Sequence, residues 1–133
     1  FLFVSACAGV SSRTNKNFKN TETTIAIKDL TSRDHEMMDA GSQLEDALDA
    51  TIAHSMFIIT HENPKYILKY KVLNYRKGRA LSKSTLEVKA ALYDEGERVG
   101  AWTIDAWVRG VEARLFQKAA DEITRHLRGD SDF

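Results

Sequence analysis

One thiol, Cys7, is the only cysteine in 133 residues. It has no internal partner for a disulfide, so it is either an ordinary core residue or a group reserved for chemistry of its own. The four histidines are His35, His54, His61 and His126. His61-Glu62-Asn63-Pro64-Lys65 begins like a zinc-protease helix, but Lys65 stands where the second histidine must come, and Pro64 breaks the helix. Asp34, His35, Glu36 and Asp39 are metal-type ligands close in sequence. They fall at a predicted helix start, where carboxylates complement the helix dipole, and we read them as capping and solvated groups. The sequence has neither a Gly-x-Ser-x-Gly elbow nor a glycine-rich phosphate loop. Asp105, between Ile104 and Ala106, is expected to face solvent or to pair with a lysine across a sheet. No metal, cofactor or catalytic residue is expected, and the chain reads as a non-enzyme.

The start of the chain gives Cys7 its context. Phe1-Leu2-Phe3-Val4-Ser5-Ala6-Cys7 is apolar or small throughout, with no charged region before it, and reads as the tail of a longer hydrophobic segment. Val4-Ser5-Ala6-Cys7 resembles the bacterial lipobox, an aliphatic residue and two small ones before cysteine. That resemblance implies cleavage between Ala6 and Cys7 and a diacylglyceryl group, with acyl chains such as palmitate, on the Cys7 thiol. Each buried methylene of the anchor contributes about 0.8 kcal/mol. With Ala8 rather than Asp after the cysteine, the resemblance implies the periplasmic face of the outer membrane. The rival reading is a short buried strand, but the run from Ala8 to Asn17 is polar and linker-like. Residues 1–6 are therefore expected to be a signal-peptide remnant, 7–22 an anchor and flexible linker, 23–129 one domain and 130–133 a tail.

The elements follow from periodicity. Thr23 to Leu30 is β-branched and reads as a strand. Met37, Gly41, Leu44, Leu48 and Ile52 recur at helical spacing, giving an amphipathic helix to about Ser55. Phe57 to Thr60 is a short apolar strand, placing Ile25 and Ile27 beside Ile58 in a parallel βαβ unit. Tyr66 to Arg76, the stretch around Leu86 to Leu92, and Val99 to Val108 alternate between apolar and polar positions. Asp94-Glu95-Gly96-Glu97 forms a hairpin turn between the last two. Val111, Leu115, Ala119, Ile123 and Leu127 stripe a closing helix, capped by Gly129. The expected fold class is α+β: two helices on one face of a mixed, mainly antiparallel sheet, in the order β-α-β-β-β-β-α.

Charge is balanced overall but divided along the chain. The 19 Lys and Arg match 19 Asp and Glu, which argues against a nucleic-acid partner. Lys69, Lys71, Arg76, Lys77, Arg79, Lys83 and Lys89 gather in the central hairpin, and this set is the candidate binding patch. Residues 34–55 hold Asp34, Glu36, Asp39, Glu45, Asp46 and Asp49 and no Lys or Arg. The basic hairpin would suit anionic headgroups, cell-wall polymer or an acidic partner; its plainer reading is a solvated edge. Tyr75 and Trp102 fall on the opposite parity from Tyr70 and Trp107, so one pair is expected to be exposed. No apolar run reaches the roughly 20 residues that span a bilayer.

Lipobox, linker, βαβ unit and a Leu92-Tyr93-Asp94-Glu95-Gly96 turn before a Trp102 strand together resemble small Gram-negative outer-membrane lipoproteins. More distantly, the order of elements is similar to the amino-terminal domain of TolB and to lipoproteins that activate peptidoglycan synthases. The resemblance covers about residues 4–128 and implies a structural or assembly role in secretion, conjugation, flagellar or cell-wall machinery. Its partners would be the membrane, through the anchor, an envelope protein, and other copies of the chain through an exposed edge strand. The alternative is a periplasmic carrier of a small apolar ligand between sheet and helices.

Overall fold

The computed structural model describes residues 8–16, 24–55, 57–78 and 82–128. Six strands and two helices follow one another: β1 (Ala8–Lys16), β2 (Thr24–Asp29), α1 (His35–Ala53), β3 (Ile58–Ile59), β4 (Tyr66–Arg76), β5 (Ser84–Asp94), β6 (Glu97–Val108) and α2 (Ala113–Leu127). One sheet holds all the strands in the order β1-β6-β5-β4-β2-β3. The expected α+β class and element order hold, with one additional strand at the front.

The βαβ unit forms as the apolar pattern requires. Ile25 and Ile27 of β2 are buried, and Ala40, Leu44, Leu48 and Ile52 line the inner side of α1 at four-residue steps. β2 and β3 run parallel with Thr24 opposite Ile58 and Ile25 opposite Ile59. On its other side β2 also pairs parallel with β4, Ile25 opposite Tyr66 through Asp29 opposite Tyr70. β4, β5 and β6 form the antiparallel meander. Its tight turn has two residues at positive φ, Glu95 at 53° and Gly96 at 84°, the backbone that matches the twist of paired strands.

Both helices pack on the same side of this sheet. The core they close contains Leu68, Tyr70, Val88, Leu92, Trp102 and Ile104 from the strands and Leu115, Ala119 and Ile123 from α2. Each fully buried aliphatic side chain contributes about 1.5–3 kcal/mol.

Three expectations are corrected. Residues 7–22 do not all form a linker: Ala8–Lys16 is an edge strand, antiparallel to β6 from Ala8 opposite Val108 to Thr14 opposite Trp102. Its inward position, Ser12, is polar and satisfied by hydrogen bonds to α2, so the apolar alternation that marks a strand is missing. The closing helix starts at Ala113, and Val111, expected on its buried stripe, is 65% exposed. The aromatic parity also changes. An irregularity between Val72 and Asn74 inserts one residue, so Tyr75 returns to the helix side and meets Phe116 at 5.6 Å between ring centroids. Tyr70 and Trp102 are both buried, leaving Trp107 half-exposed on the other side. The Gly129 cap lies outside the described residues.

Gly41 marks where α1 comes closest to the end of β2. A Cβ there would lie 2.6 Å from Asp29 Oδ2 and 2.9 Å from the Thr31 Cβ. Those atoms cannot easily retreat. Asp29 Oδ1 accepts the Thr31 amide at 2.8 Å, Thr31 Oγ1 accepts the Val72 amide at 3.1 Å, and the Tyr70 hydroxyl donates to the Gly41 carbonyl at 2.8 Å. Helix propensity alone would make Gly41→Ala stabilising. We expect it instead to destabilise by about 1–3 kcal/mol through overpacking. Ser42→Ala, on the exposed side of the same turn, should be neutral or slightly stabilising. Urea unfolding of the two variants checks the sign.

Candidate functional site

Alternation along β2, β4, β5 and β6 sends every second side chain away from the helices, onto a face that no described element covers. Three residues of the expected basic patch meet there. Lys71 stands directly opposite Lys89 across β4 and β5, and Lys69 stands opposite Ala91. The Lys69 ammonium lies 4.6 Å above the Tyr93 ring, a cation–π contact. These residues, with Arg98 and Leu30, line a shallow cleft of about 270 Å³. Lys28 of β2, beside Lys69 in the register, extends the patch across a third strand. Sequence reasoning omitted Lys28, although its position one step beyond buried Ile27 already placed it outward.

The rest of the described patch lies farther along, with Arg76 and Lys83 toward the other end of the same face, by Thr85 and Trp107. Beyond the bulge at Leu73, Arg76 pairs in register with Thr85, five residues along β4 from Lys71 and so about 16 Å away. Lys77 reaches Glu112, which precedes α2, at 3.6 Å. Lys83 lies 5.1 Å from the Trp107 ring. Asn74, Arg76, Lys77 and Gly78 contribute to a second open cleft, shared with Asp39, Tyr75 and Glu112. Asp105 faces solvent as alternation predicts, opposite Glu87 on β5 and Ser11 on β1 rather than opposite a lysine. Arg79, Ala6 and Cys7 lie outside the described residues.

The acids of α1 occupy the opposite side of the molecule. Asp39, Asp46 and Asp49 are exposed and Glu45 is half-buried. Partial burial raises the pKa of Glu45 first, and repulsion from Asp49, Asp29 and Asp46 adds to it. Asp49 is raised in the same way, by burial and then by Asp46. Beneath them the Tyr70 phenol is pushed above its ordinary range, chiefly by burial and then by neighbouring carboxylates, Asp29 and Glu45 foremost.

A second polar cluster, which the sequence did not reveal, joins β1 to α2. Ser12 Oγ donates to Glu122 Oε2 at 2.6 Å and lies 2.8 Å from His126 Nε2. With the serine proton committed to the carboxylate, His126 Nε2–H donates to Ser12. Arg125 Nη2 holds the same Glu122 oxygen at 2.6 Å, so the glutamate pKa is lowered by Arg125 foremost. The imidazole stacks on Trp102, centroids 5.2 Å apart, and Nδ1 has no hydrogen-bond partner among the described residues. The arrangement differs from a nucleophilic triad, because the carboxylate and the hydroxyl share one imidazole nitrogen instead of flanking the ring. Among the described residues, no three His, Cys, Asp or Glu side chains converge as metal ligands. No helix of the described chain is long and apolar enough to cross a membrane.

No family model matches the sequence, and no curated protein matches it. Solved structures do match the fold. The chain is similar to PelC. A PelC dodecamer from Paraburkholderia phytofirmans, a single-substitution variant, overlays with a TM-score of 0.64 at 16% identity, covering 91% of this chain and 99% of that one. Lipoprotein GNA1162 from Neisseria meningitidis overlays at 0.53 and 11% identity, covering 78% and 96%. TolB from Acinetobacter baumannii overlaps less, with a TM-score of 0.37 at 16% identity over 91% of this chain and 32% of that one. The fold expected from the resemblance is thus the fold of PelC and of a known lipoprotein.

His126 supplies a pH prediction. Burial, then Arg125, lowers its pKa from the ordinary 6.5, while Glu122 pulls it back upward. The unfolded chain therefore binds more protons than the folded one in the window just below 6.5. The stability this neutral imidazole contributes is complete above that ordinary value and lost as pH falls toward the depressed one. Urea midpoints followed from neutral pH down through this window should decline for the unaltered chain and decline less for His126→Phe. Parallel declines would show that the acid sensitivity lies elsewhere.

Proposed function

We propose that this chain is a non-enzymatic, lipid-anchored interaction module of the bacterial envelope. It is held by Cys7 at the periplasmic face of the outer membrane, where it assembles with copies of itself and holds an envelope protein partner. The observation that carries this reading is the uncovered sheet face, where Lys28, Lys69, Lys71 and Lys89 stand on three adjacent strands opposite the helix layer. A flat charged face recognises another surface, whereas chemistry on a small substrate needs titratable groups converging in a concave pocket. Lys71 and Lys89 face each other on neighbouring strands. Such opposed like charges weaken a sheet, so their presence favours a role in contact with an anionic surface.

Three further points support the reading. The lipobox-like Val4-Ser5-Ala6-Cys7 leads directly into β1, an ordered edge strand of the domain. One structure of similar fold is a lipoprotein and another is a dodecamer. The divided charge of a neutral chain supplies two surfaces of opposite sign.

Expression of the full chain behind its own leader in a Gram-negative host tests the anchor. Palmitate should label the protein, and Cys7→Ser should abolish both the label and retention in the membrane fraction. Sedimentation of the delipidated protein should show a species several times the 15.0 kDa protomer. An unlabelled Cys7 would remove the anchor from the proposal, and a monomer at every concentration would remove the self-assembly.

A further inference from the structure

We infer that the open face of the sheet receives the acidic outer side of α1 from a second copy of this chain. The inference rests on the self-assembly just proposed and specifies the two surfaces that make it.

The backbone supplies the first reason. β3, β2 and β4 pair in parallel. Parallel strands are normally covered on both faces. Here α1 covers one face, and the other shows Ile58, 61% exposed, beside half-buried Ala26 and Ile67. A helix laid on that face would complete the sandwich. The same strands would then lie between their own α1 and that of a neighbour.

Charge supplies the second reason. Around this apolar floor stand Lys28, Lys71 and Lys89, all exposed and none in an ion pair among the described residues. Lys71 and Lys89 are directly opposed, which costs stability until an anion intervenes. α1 provides anions with the same problem in reverse. No Lys or Arg occurs between His35 and Ala53, and Asp46 and Asp49 are exposed within one turn of each other. Ser42, Ala50 and Ala53 share the exposed side of the helix, and such small residues allow a close approach to a sheet.

Geometry then sets the symmetry. The two surfaces lie on opposite sides of one protomer, so they cannot meet within it or in a self-complementary pair. Their contact is head-to-tail and continues until a ring closes or a filament grows.

A charge-swap series on the full, delipidated chain tests this by sedimentation velocity over a range of concentrations. Lys71→Glu with Lys89→Glu, and separately Asp46→Lys with Asp49→Lys, should each raise the assembly midpoint by on the order of tenfold or more. An equimolar mixture of the two double variants should return it close to that of the unaltered chain, because each reversed sheet then meets a reversed helix. That recovery also shows that both variants are folded. Assembly unaffected by either double substitution would overturn these surfaces and leave self-assembly standing, whereas an unaltered chain that stays monomeric would overturn both. If Lys71→Glu with Lys89→Glu abolishes binding to phosphatidylglycerol vesicles but leaves assembly intact, the face belongs to a lipid surface and the inferred contact is wrong.

Discussion

The two helices cover one side of a six-stranded sheet, and almost everything else in the structure follows from that one-sided burial. Alternation along β4, β5 and β6 sends Leu68, Tyr70, Val88, Leu92, Trp102 and Ile104 toward α1 and α2, where they are sealed from water. Area removed from water is the dominant favourable contribution to the fold. Period-two geometry makes the consequence unavoidable. For every side chain committed to the core, its neighbour is committed to the opposite face, and a one-residue slip would exchange the two sets. The bulge after Val72 is where the chain uses that freedom, turning Tyr75 back toward Phe116 while pushing Leu73 outward.

At the β1 edge the core is closed by polar groups. Ser12, Glu122, Arg125 and His126 replace the apolar pair expected between an edge strand and a covering helix. Hydrogen bonds satisfy the carboxylate and the hydroxyl, and Trp102 covers the imidazole with an aromatic face. The exchange retains order at the strand where a bare edge would otherwise be open to unwanted pairing. The buried position also favours the neutral form of the imidazole.

Charge separation is the second organising feature. The acids of α1 and the lysines of the open face lie on opposite sides of a neutral chain, so neither group relieves the other. Partial burial, and then repulsion from neighbouring carboxylates, raises the proton affinities of Glu45 and Asp49, while Lys71 stands across from Lys89. A sheet whose only task was to protect its edges would gather lysine on β1 and β3. These lysines instead occupy β2, β4 and β5, in the middle of the sheet order. That placement is not the one edge protection requires.

The α+β class, the two amphipathic helices, the parallel βαβ pairing of the strands that hold Ile25 and Ile58, and the turn at Glu95-Gly96 were all determined by the sequence. Each depends on local periodicity or on the φ that a residue tolerates. Lys69, Lys71 and Lys89 could likewise be placed on one face from alternation alone, whereas Arg76 joins that face only because a single inserted residue shifts the parity of β4. Only tertiary structure decided that Ala8–Lys16 is a strand, that β4 also pairs parallel to β2, and that Ser12 meets His126 across 114 positions. Polar partners distant in sequence leave no periodic signal. Their hydrogen bonds replace the apolar pattern by which a strand is recognised, and the partner exists only once α2 has packed.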